Sequence, residues 1–503
     1  MNNIFALYTE GLSLVFSPQV ISFLILGTVA GIIIGALPGL SVVMGLAVIT
    51  PLTFGMSASS AFALLLGVFS GGMYGGAITA IVAKIPGTSS QIMTTLDGYP
   101  MALRGEAGKA IGVVTIASWF GGVFSAIVLS LFAPMIAGIA LAFSAQEYFA
   151  IAIFGMCIIA FVCEASIIKG LISGVIGLLV ATIGTDVLTG VPRFTFKEFL
   201  LLDGLQLIPV LVGLYGVTEV LNLSCKKLSE IQVVQKFGRI IPTLKDFMQI
   251  LPTLFRGALV GTGIGIVPGA GSTIAAIVSY GVELRVSKRR AEFGKGVMDG
   301  IAAPECANNA QIGGAMIPML TLGIPGDSGT AVLIGALLIH GLQPGPMLFK
   351  ENMPIVSSIF LLLLLSNFFF VVLGLAGARL IVRAINVPVR ILIPIIMLLC
   401  LVGSFSVRFT IFDILVLIAF GCLGFLLGKV KVPAAPLVLG FILGPLVETG
   451  FRRGLVLSKG DFLSFFTRPI SAVCLSLSVV MMFAPSILGF LKKVFKLTPA
   501  QKP

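Results

Sequence analysis

The residues with the most chemistry in this 503-residue chain lie between Asp299 and Pro346. The stretch reads DGIAAPECANNAQIGGAMIPMLTLGIPGDSGTAVLIGALLIHGLQPGP and sets Asp299, Glu305, Asn308, Asn309 and Asp327 in otherwise apolar sequence. It is expected to break at Pro318 and at Pro325-Gly326. Hydrocarbon does not tolerate unpaired backbone groups, so a helix broken at membrane depth must be buried in protein or line a cavity. Carboxylates and amides beside such breaks point to a polar ligand.

The same local grammar occurs four times. Pro38-Gly39, Pro86-Gly87, Pro268-Gly269 and Pro325-Gly326 are each followed within three residues by a hydroxyl, at Ser41, Thr88, Ser272 and Ser328. Proline ends or kinks a helix and glycine lets the backbone turn closely. Serine and threonine are natural caps for the helix that restarts. One instance is equally a plain proline kink with a hydroxyl filling one bond; four instances in two pairs favour a built site. A helix start offers free N–H donors and about half a positive charge, which makes it an anion site without a lysine. The amides of Asn308 and Asn309 add donors and acceptors in one turn. Helix-end carbonyls near Pro86 and Pro325, with Asp327 or an asparagine oxygen, could hold sodium, a division of labour found in secondary transporters. Two roles fit Asp327, ion ligand and cap of the restarted helix. Glu305, after Pro304, fits a cap or pair as well as a ligand. Asp97 in TTLDGYP keeps turn-forming company and reads as structural.

These breaks are related by an internal repeat. Gly27, Gly31, Gly35, Pro38 and Gly39 recur 230 residues later as Gly257, Gly261, Gly265, Pro268 and Gly269. Gly75, Ile85, Pro86 and Gly87 recur 239 residues later as Gly314, Ile324, Pro325 and Gly326. Duplicated halves with interrupted helices in matching places point to a transporter site near the membrane midplane. The expected organisation is a half over residues 1–225, a basic connection over 226–256, a second half over 257–491 and a tail over 492–503, with the halves inverted.

Composition fixes the class. With 57% hydrophobic and 10% charged residues and a mean hydropathy of +1.13, the chain cannot hide its apolar surface as a soluble domain. Apolar runs long enough for roughly 30 Å of hydrocarbon recur throughout. The fold class expected is an all-α polytopic membrane protein with about ten to twelve spanning or half-spanning segments. The alternating segments of a β-barrel are missing. The net charge of +12 reads as topology signal and not as a nucleic-acid surface, because the basic residues cluster between apolar runs. Clusters at Lys226, Lys227, Lys236, Arg239, Lys245 and Arg256, at Arg285 to Lys295, and at Lys492, Lys493 and Lys496 are all placed in the cytoplasm. About 28 residues then separate Arg256 from Arg285, too few for two crossings of about twenty residues each. A re-entrant hairpin with its tip at Pro268-Gly269-Ala270-Gly271, and about a dozen residues per arm, is preferred to a single crossing. The start MNNIFALYTE lacks a basic region, so no cleavable signal is expected. Seven cysteines show no metal or C-x-x-C spacing, and most read as small core residues.

Two rival classes fare worse. His340 is the single histidine and sits in a Leu-Ile-His-Gly-Leu run suited to packing, so a catalytic site would have little to work with. No H-E-x-x-H or Walker A is present, and Ile324 breaks the G-x-G-D of intramembrane aspartyl proteases. A channel would call for rings of like residues rather than duplicated kinked hairpins.

LPGLSVVMGLAVITPLTFGM, GGMYGGAITAIVAKIPGTSSQIMTTLDGYPMALRGEAGKAIG, GVPRFTF, VPGAGSTIAAIVSYGVE and FGKGVMDGIAAPECANNAQIGGAMIPMLTLGIPGDSGTAVLIGALLIHGLQPGP resemble the large membrane subunit (TctA-like) of the tripartite tricarboxylate transporters, over essentially the whole chain. Cys306 stands where that family is expected to carry serine. The resemblance implies a bacterial inner-membrane secondary transporter. It implies two partners, a small four-helix membrane subunit and a periplasmic solute-binding protein that delivers a carboxylate. Uptake would be driven by a cation gradient, commonly sodium, with no other cofactor. Carried onto this chain, the substrate region comprises Pro38, Gly39, Ser41, Gly87, Thr88, Ser89, Gly269, Gly271, Ser272, Asn308, Asn309, Gly326, Ser328 and Thr330. Thr88, Asn308 and Asp327 would serve the ion.

Overall fold

A computed structural model describes residues 10–37, 39–162, 166–225, 238–384 and 389–494. Pro38, Cys163, Lys226, Lys227, Lys236 and Lys496 fall outside the described residues. The helices, in order, are α1 (Pro18–Ala36), α2 (Val42–Ile49), α3 (Ala58–Ala83), α4 (Ile92–Leu103), α5 (Ala107–Ala140), α6 (Ala145–Val162), α7 (Ile167–Ala181) and α8 (Leu207–Cys225). The second series is α9 (Leu244–Ile266), α10 (Gly271–Val286), α11 (Met298–Leu322), α12 (Ser328–Ile339), α13 (Met353–Ala384), α14 (Val389–Arg408), α15 (Ile411–Lys429), α16 (Ala434–Leu457) and α17 (Pro469–Val494). Among the described residues, nine helices are long and apolar enough to cross a membrane. The protein is an all-α polytopic membrane protein. A two-residue β-hairpin, β1 (Gly184–Thr185) against β2 (Pro192–Arg193), is the sheet found among the described residues.

Local signals account for several boundaries. Ser17 caps α1 through Val20 N–H (3.3 Å), with Pro18 in the first helical position, where its missing N–H costs nothing. Lys84 and Gly323 close α3 and α11 in the left-handed region. Pro318, expected to break the long polar stretch, instead lies inside α11, as does Pro304. Each has a glycine four residues earlier, Gly314 and Gly300, where the backbone can yield to the proline ring. Asp97 and Pro100 likewise sit inside α4 and not in a turn. Of the described cysteines, Cys306 and Cys400 are buried while Cys225 and Cys422 are exposed, so core packing explains fewer of them than expected.

The chain forms two compact units, each built from two separate stretches of the sequence. One takes the described residues of 1–141 and 206–429, the other those of 142–205 and 430–503. In the first unit α3 and α11 are covered on every side. Helix α1 packs along α3 and α9 along α11, while α5 leans on α11 and α13 on α3. A Cβ at Gly27, Gly31 or Gly35 would lie 2.1, 2.4 or 2.1 Å from the carbonyl oxygens of Leu64, Val68 and Gly72. At Gly257, Gly261 and Gly265 it would lie 3.0, 2.3 and 2.5 Å from those of Ala303, Ala307 and Gln311. The glycines are shifted by 230 and their partners by 239, the two offsets of the sequence repeat. Bare glycine faces let these backbones touch where no hydrophobic force operates between helices.

Two helices do meet at the expected tip, but their arms exceed the dozen residues expected of a re-entrant hairpin, and the first is long and apolar enough to cross a membrane. Helix α9 has 23 residues and α10 has 16, and α10 runs back along α9. Arg256 sits within α9 because both oxygens of Glu283 from α10 accept its guanidinium, at 2.8 and 2.7 Å.

In the second unit α16 packs on α6 and α7, and α17 on α6. Arg193 of β2 binds Glu448 twice, at 2.6 and 3.0 Å, and Arg452 binds Asp186 at 2.5 Å. The Arg452 hydrogen bond, then those from Thr189 and Leu188 N–H, hold the Asp186 carboxyl well below the usual carboxylate range. Such a depressed group contributes stability above its unfolded pKa, and that contribution goes as pH falls through the folded value.

Two outcomes are expected. Gly261→Ala lowers stability by about 1–3 kcal/mol, the cost of overpacking, while Gly263→Ala, where no atom lies within 4 Å, leaves thermal unfolding in detergent unchanged. The difference in melting temperature between wild type and Asp186→Asn stays flat from about pH 5 to 8 and narrows only in acid, below the ordinary carboxylate range.

Candidate functional site

The breaks of the second half meet each other first. Helix α9 ends at Ile266, the chain turns through Gly269 (φ 78°) and Gly271 (φ 65°), and α10 begins. Helix α11 ends at Gly323 and α12 begins after Asp327. Gly269 N–H donates to Gly326 C=O at 2.7 Å. A Cβ on Gly326 would lie 2.6 Å from Ala315 Cα and 2.8 Å from Gly265 C=O, so only glycine fits. Asp327 Oδ1 accepts from Thr330 N–H (2.8 Å) and the Thr330 hydroxyl (2.7 Å), and Thr330 Oγ1 accepts from Asp327 N–H (2.9 Å). This reciprocal box fixes the start of α12. A side chain on Gly271 would face Asp327, its Cβ 3.9 Å from that of the aspartate.

The first half repeats the arrangement. A Cβ on Gly87 would lie 2.1 Å from Gly35 C=O and 2.4 Å from Gly76 Cα. These are the mates, at 239 and 230, of the Gly326 neighbours. Gln91 Oε1 accepts from Thr88 N–H at 2.8 Å and from the Thr88 hydroxyl, so Thr88 and Gln91 form the counterpart of the Asp327–Thr330 box. Gly39 has φ 90°, and Ser41 Oγ caps α2 through Met44 N–H at 3.0 Å. The halves then join crosswise. Ser89 and Thr273 hydroxyls lie 2.6 Å apart, and α12 packs against α2.

Beside these loops α11 presents a buried polar face. Glu305, Asn308, Asn309 and Gln311 have 0% exposure. The Thr94 hydroxyl of α4 donates to Glu305 Oε1. Asn308 Nδ2 (3.4 Å) and Gln91 Nε2 (2.7 Å) both donate to Met73 C=O, so that carbonyl ties the loop at Thr88 to α11. Gln311 lies toward Asp327 yet neither of its polar atoms completes a hydrogen bond.

Several expectations need correction. Ser272 is not the cap of α10; Ala270 precedes that helix and no side chain caps it. Ser328 is the first residue of α12, because the Asp327 carboxylate takes the cap position. Glu305 is not a cap but lies mid-helix. The Asp97 carboxylate works across the fold: it accepts from Gly296 N–H (2.9 Å), Val297 N–H (3.0 Å) and the Tyr280 hydroxyl (3.0 Å), closing the start of α11. His340 Nε2 lies 3.3 Å from Thr53 Oγ1. The structure therefore gathers Gly87, Thr88, Ser89, Gly269, Gly271, Gly326, Asp327, Thr330 and Asn308 around one set of breaks, while Asn309 follows Asn308 on α11 with its Nδ2 directed to the Glu305 carbonyl of its own helix. Gln91, Thr94, Thr273 and Gln311 belong there too and were missed. Gln91 could have been found, since it is the mate of Thr330 at 239.

The first unit is thus equipped with four helix starts and a covered polar face, suited to a small anion and a small cation. A sequence profile of the Tripartite tricarboxylate transporter TctA family matches residues 21–439. A 52.8 kDa protein described as uncharacterized, from the TAR-I ttuC' 3' region of Agrobacterium vitis, is 36% identical over 96% of this chain and 97% of its own length. A protein from the TAR-II ttuC' 3' region of the same organism, also described as uncharacterized, is 38% identical over 47% of this chain and 98% of its own length. No solved structure matches.

Proposed function

Because the chain belongs to the tripartite tricarboxylate transporter TctA family, we propose that it is the large membrane subunit of a secondary transporter importing a carboxylate across the bacterial inner membrane. The cargo is a tricarboxylate such as citrate or a related dicarboxylate, moved unmodified and driven by a cation gradient, with sodium as the first candidate. A periplasmic solute-binding protein delivers it, and a small four-helix membrane subunit completes the complex. The halves are inverted about an axis in the membrane plane.

The observation that supports this most is the pairing of the breaks, Gly269 to Gly326 within a half and Ser89 to Thr273 between halves. Helix starts that face a shared place supply anion donors with no fixed positive charge to hold the cargo back. Ser89, Ser272 and Ser328 add hydroxyls at the same starts, and Asn308, Asn309 and Asp327 bring oxygens for the ion. The Thr88 hydroxyl is engaged by Gln91 and Ser90, so it serves the ion only by exchanging those bonds.

Reconstituted with its partners, the complex should accumulate a labelled carboxylate under an imposed sodium gradient and release it chemically intact. A modified product would point to an enzyme. Asn309→Ala and Asp327→Asn should insert and melt like wild type, since asparagine still caps a helix, and should lose ion-driven uptake. Unchanged uptake kinetics in both would remove these residues from the site.

A further inference from the structure

Eight carboxylates are buried among the described residues, and seven have a clear counterpart. Asp186, Glu147, Glu283, Asp299 and Asp413 are held by arginines. Asp97 and Asp327 accept backbone N–H groups. Glu305 has neither. It is 0% exposed, forms none of the ion pairs among the described residues, and receives only the Thr94 hydroxyl at Oε1, while Oε2 has no hydrogen-bond partner. Tyr74 of α3 is a titratable group that faces it, and the Tyr74 hydroxyl is 3.0 Å from that of Thr115.

Two more unpaired oxygens stand on the same turn. Asn308 lies beside the Glu305 carboxyl and keeps Oδ1 unpaired while Nδ2 goes to Met73 C=O. Asn309 Oδ1 is also unpaired, its Nδ2 directed 3.5 Å to Glu305 C=O. Positions 305, 308 and 309 share one face of a helix. A buried charge is retained only when paired or bound to a cation, and buried polar atoms normally have partners. Intramembrane carboxylates in such settings mark ion and proton pathways. The repeat sharpens the contrast: the first-half mates of Glu305, Asn308 and Asn309 are Leu66, Phe69 and Ser70. The face is therefore not a packing need of the helix pair, since the first half packs the equivalent helix without it.

We propose that Glu305, with Thr94 and Asn308, binds the monovalent cation whose gradient drives the transport described above. The cation neutralises the carboxylate and satisfies the unpaired oxygens. Because Asn308 and Gln91 share the Met73 carbonyl and Gln91 holds Thr88, filling or emptying this site acts on the break where the carboxylate cargo binds. A proton and an alkali ion are the two sources of that charge. The proposal rests on the transport reading, and its test separates the two.

The complete complex in proteoliposomes is assayed in two modes, accumulation under an imposed gradient and counterflow exchange of labelled carboxylate with no gradient. Counterflow by wild type tests the transport reading by itself; no counterflow sinks that reading, and this proposal with it. Glu305→Gln, which keeps shape and the Thr94 contact, should lose gradient-driven accumulation at least tenfold and keep counterflow within about twofold. The wild-type gradient that is effective, sodium at equal pH or pH without sodium, names the cation. Equal loss in both modes, or undiminished accumulation, overturns the assignment and leaves Glu305 structural. A second measurement needs no variant. A hydrophobic carbodiimide should modify Glu305 in the wild-type complex, read by peptide mass, and the coupling cation should slow that labelling. Labelling indifferent to sodium and to pH overturns the proposal.

Discussion

Main chain that leaves a helix inside hydrocarbon must find polar partners at once, and in this protein the partner is another backbone at glycine distance. Gly87 rests against Gly35 C=O and Gly326 against Gly265 C=O, too close for any side chain. The carbonyls lie at the ends of α1 and α9, which are themselves seated on α3 and α11 by glycines spaced four apart. The loops are thus held by main chain on main chain. Side chains enter only as short caps at the helix starts, Ser41, Thr88 with Gln91, and Asp327 with Thr330.

That scaffold is symmetric where the chemistry is not. The capping boxes match, Thr88 with Gln91 and Asp327 with Thr330, but only the second carries a carboxylate. The covered helices match, yet α11 is lined by Glu305, Asn308, Asn309 and Gln311 where α3 has Leu66, Phe69, Ser70 and Gly72. Duplication supplied two sets of breaks; divergence left acidic and amide groups in one. For the anion cargo and coupling cation proposed above, this division would let backbone donors from both halves face the anion while the negative side chains stay on one side, where the cation offsets them.

How much of this was legible in advance varies with the physics of each feature. Helical class and the repeat were written in hydropathy and in glycine spacing, because membrane depth and backbone contact impose both. The breaks at 323–327 and 267–270 were legible for the same reason. Pro318, expected to break the helix, does not, since Gly314 four residues earlier absorbs the ring. Capping residues were misassigned where a stronger acceptor stood nearby, as Asp327 does beside Ser328. Asp97 was placed in a turn by its neighbours, although it serves Gly296, Val297 and Tyr280, distant contacts that no local pattern encodes. Arg256 looked like a boundary charge until Glu283 came to it from α10.

The arginine pairs and Glu305 together show what burial asks of a charge in this protein. Arg256 within α9, Arg408 at the end of α14 and Arg452 within α16 are each matched by a carboxylate at hydrogen-bond distance, which lets a charged residue sit in an apolar helix without loss of structure. Such pairs are static: neither partner gains by leaving. A carboxylate without a fixed partner behaves differently, because its neutralisation depends on what the surroundings supply. Coupling a cation gradient to cargo movement requires a group of that second kind, placed where its state reaches the cargo. Glu305 is such a group, and the hydrogen bonds from its neighbour Asn308 and from Gln91 to one carbonyl tie its surroundings to a helix break.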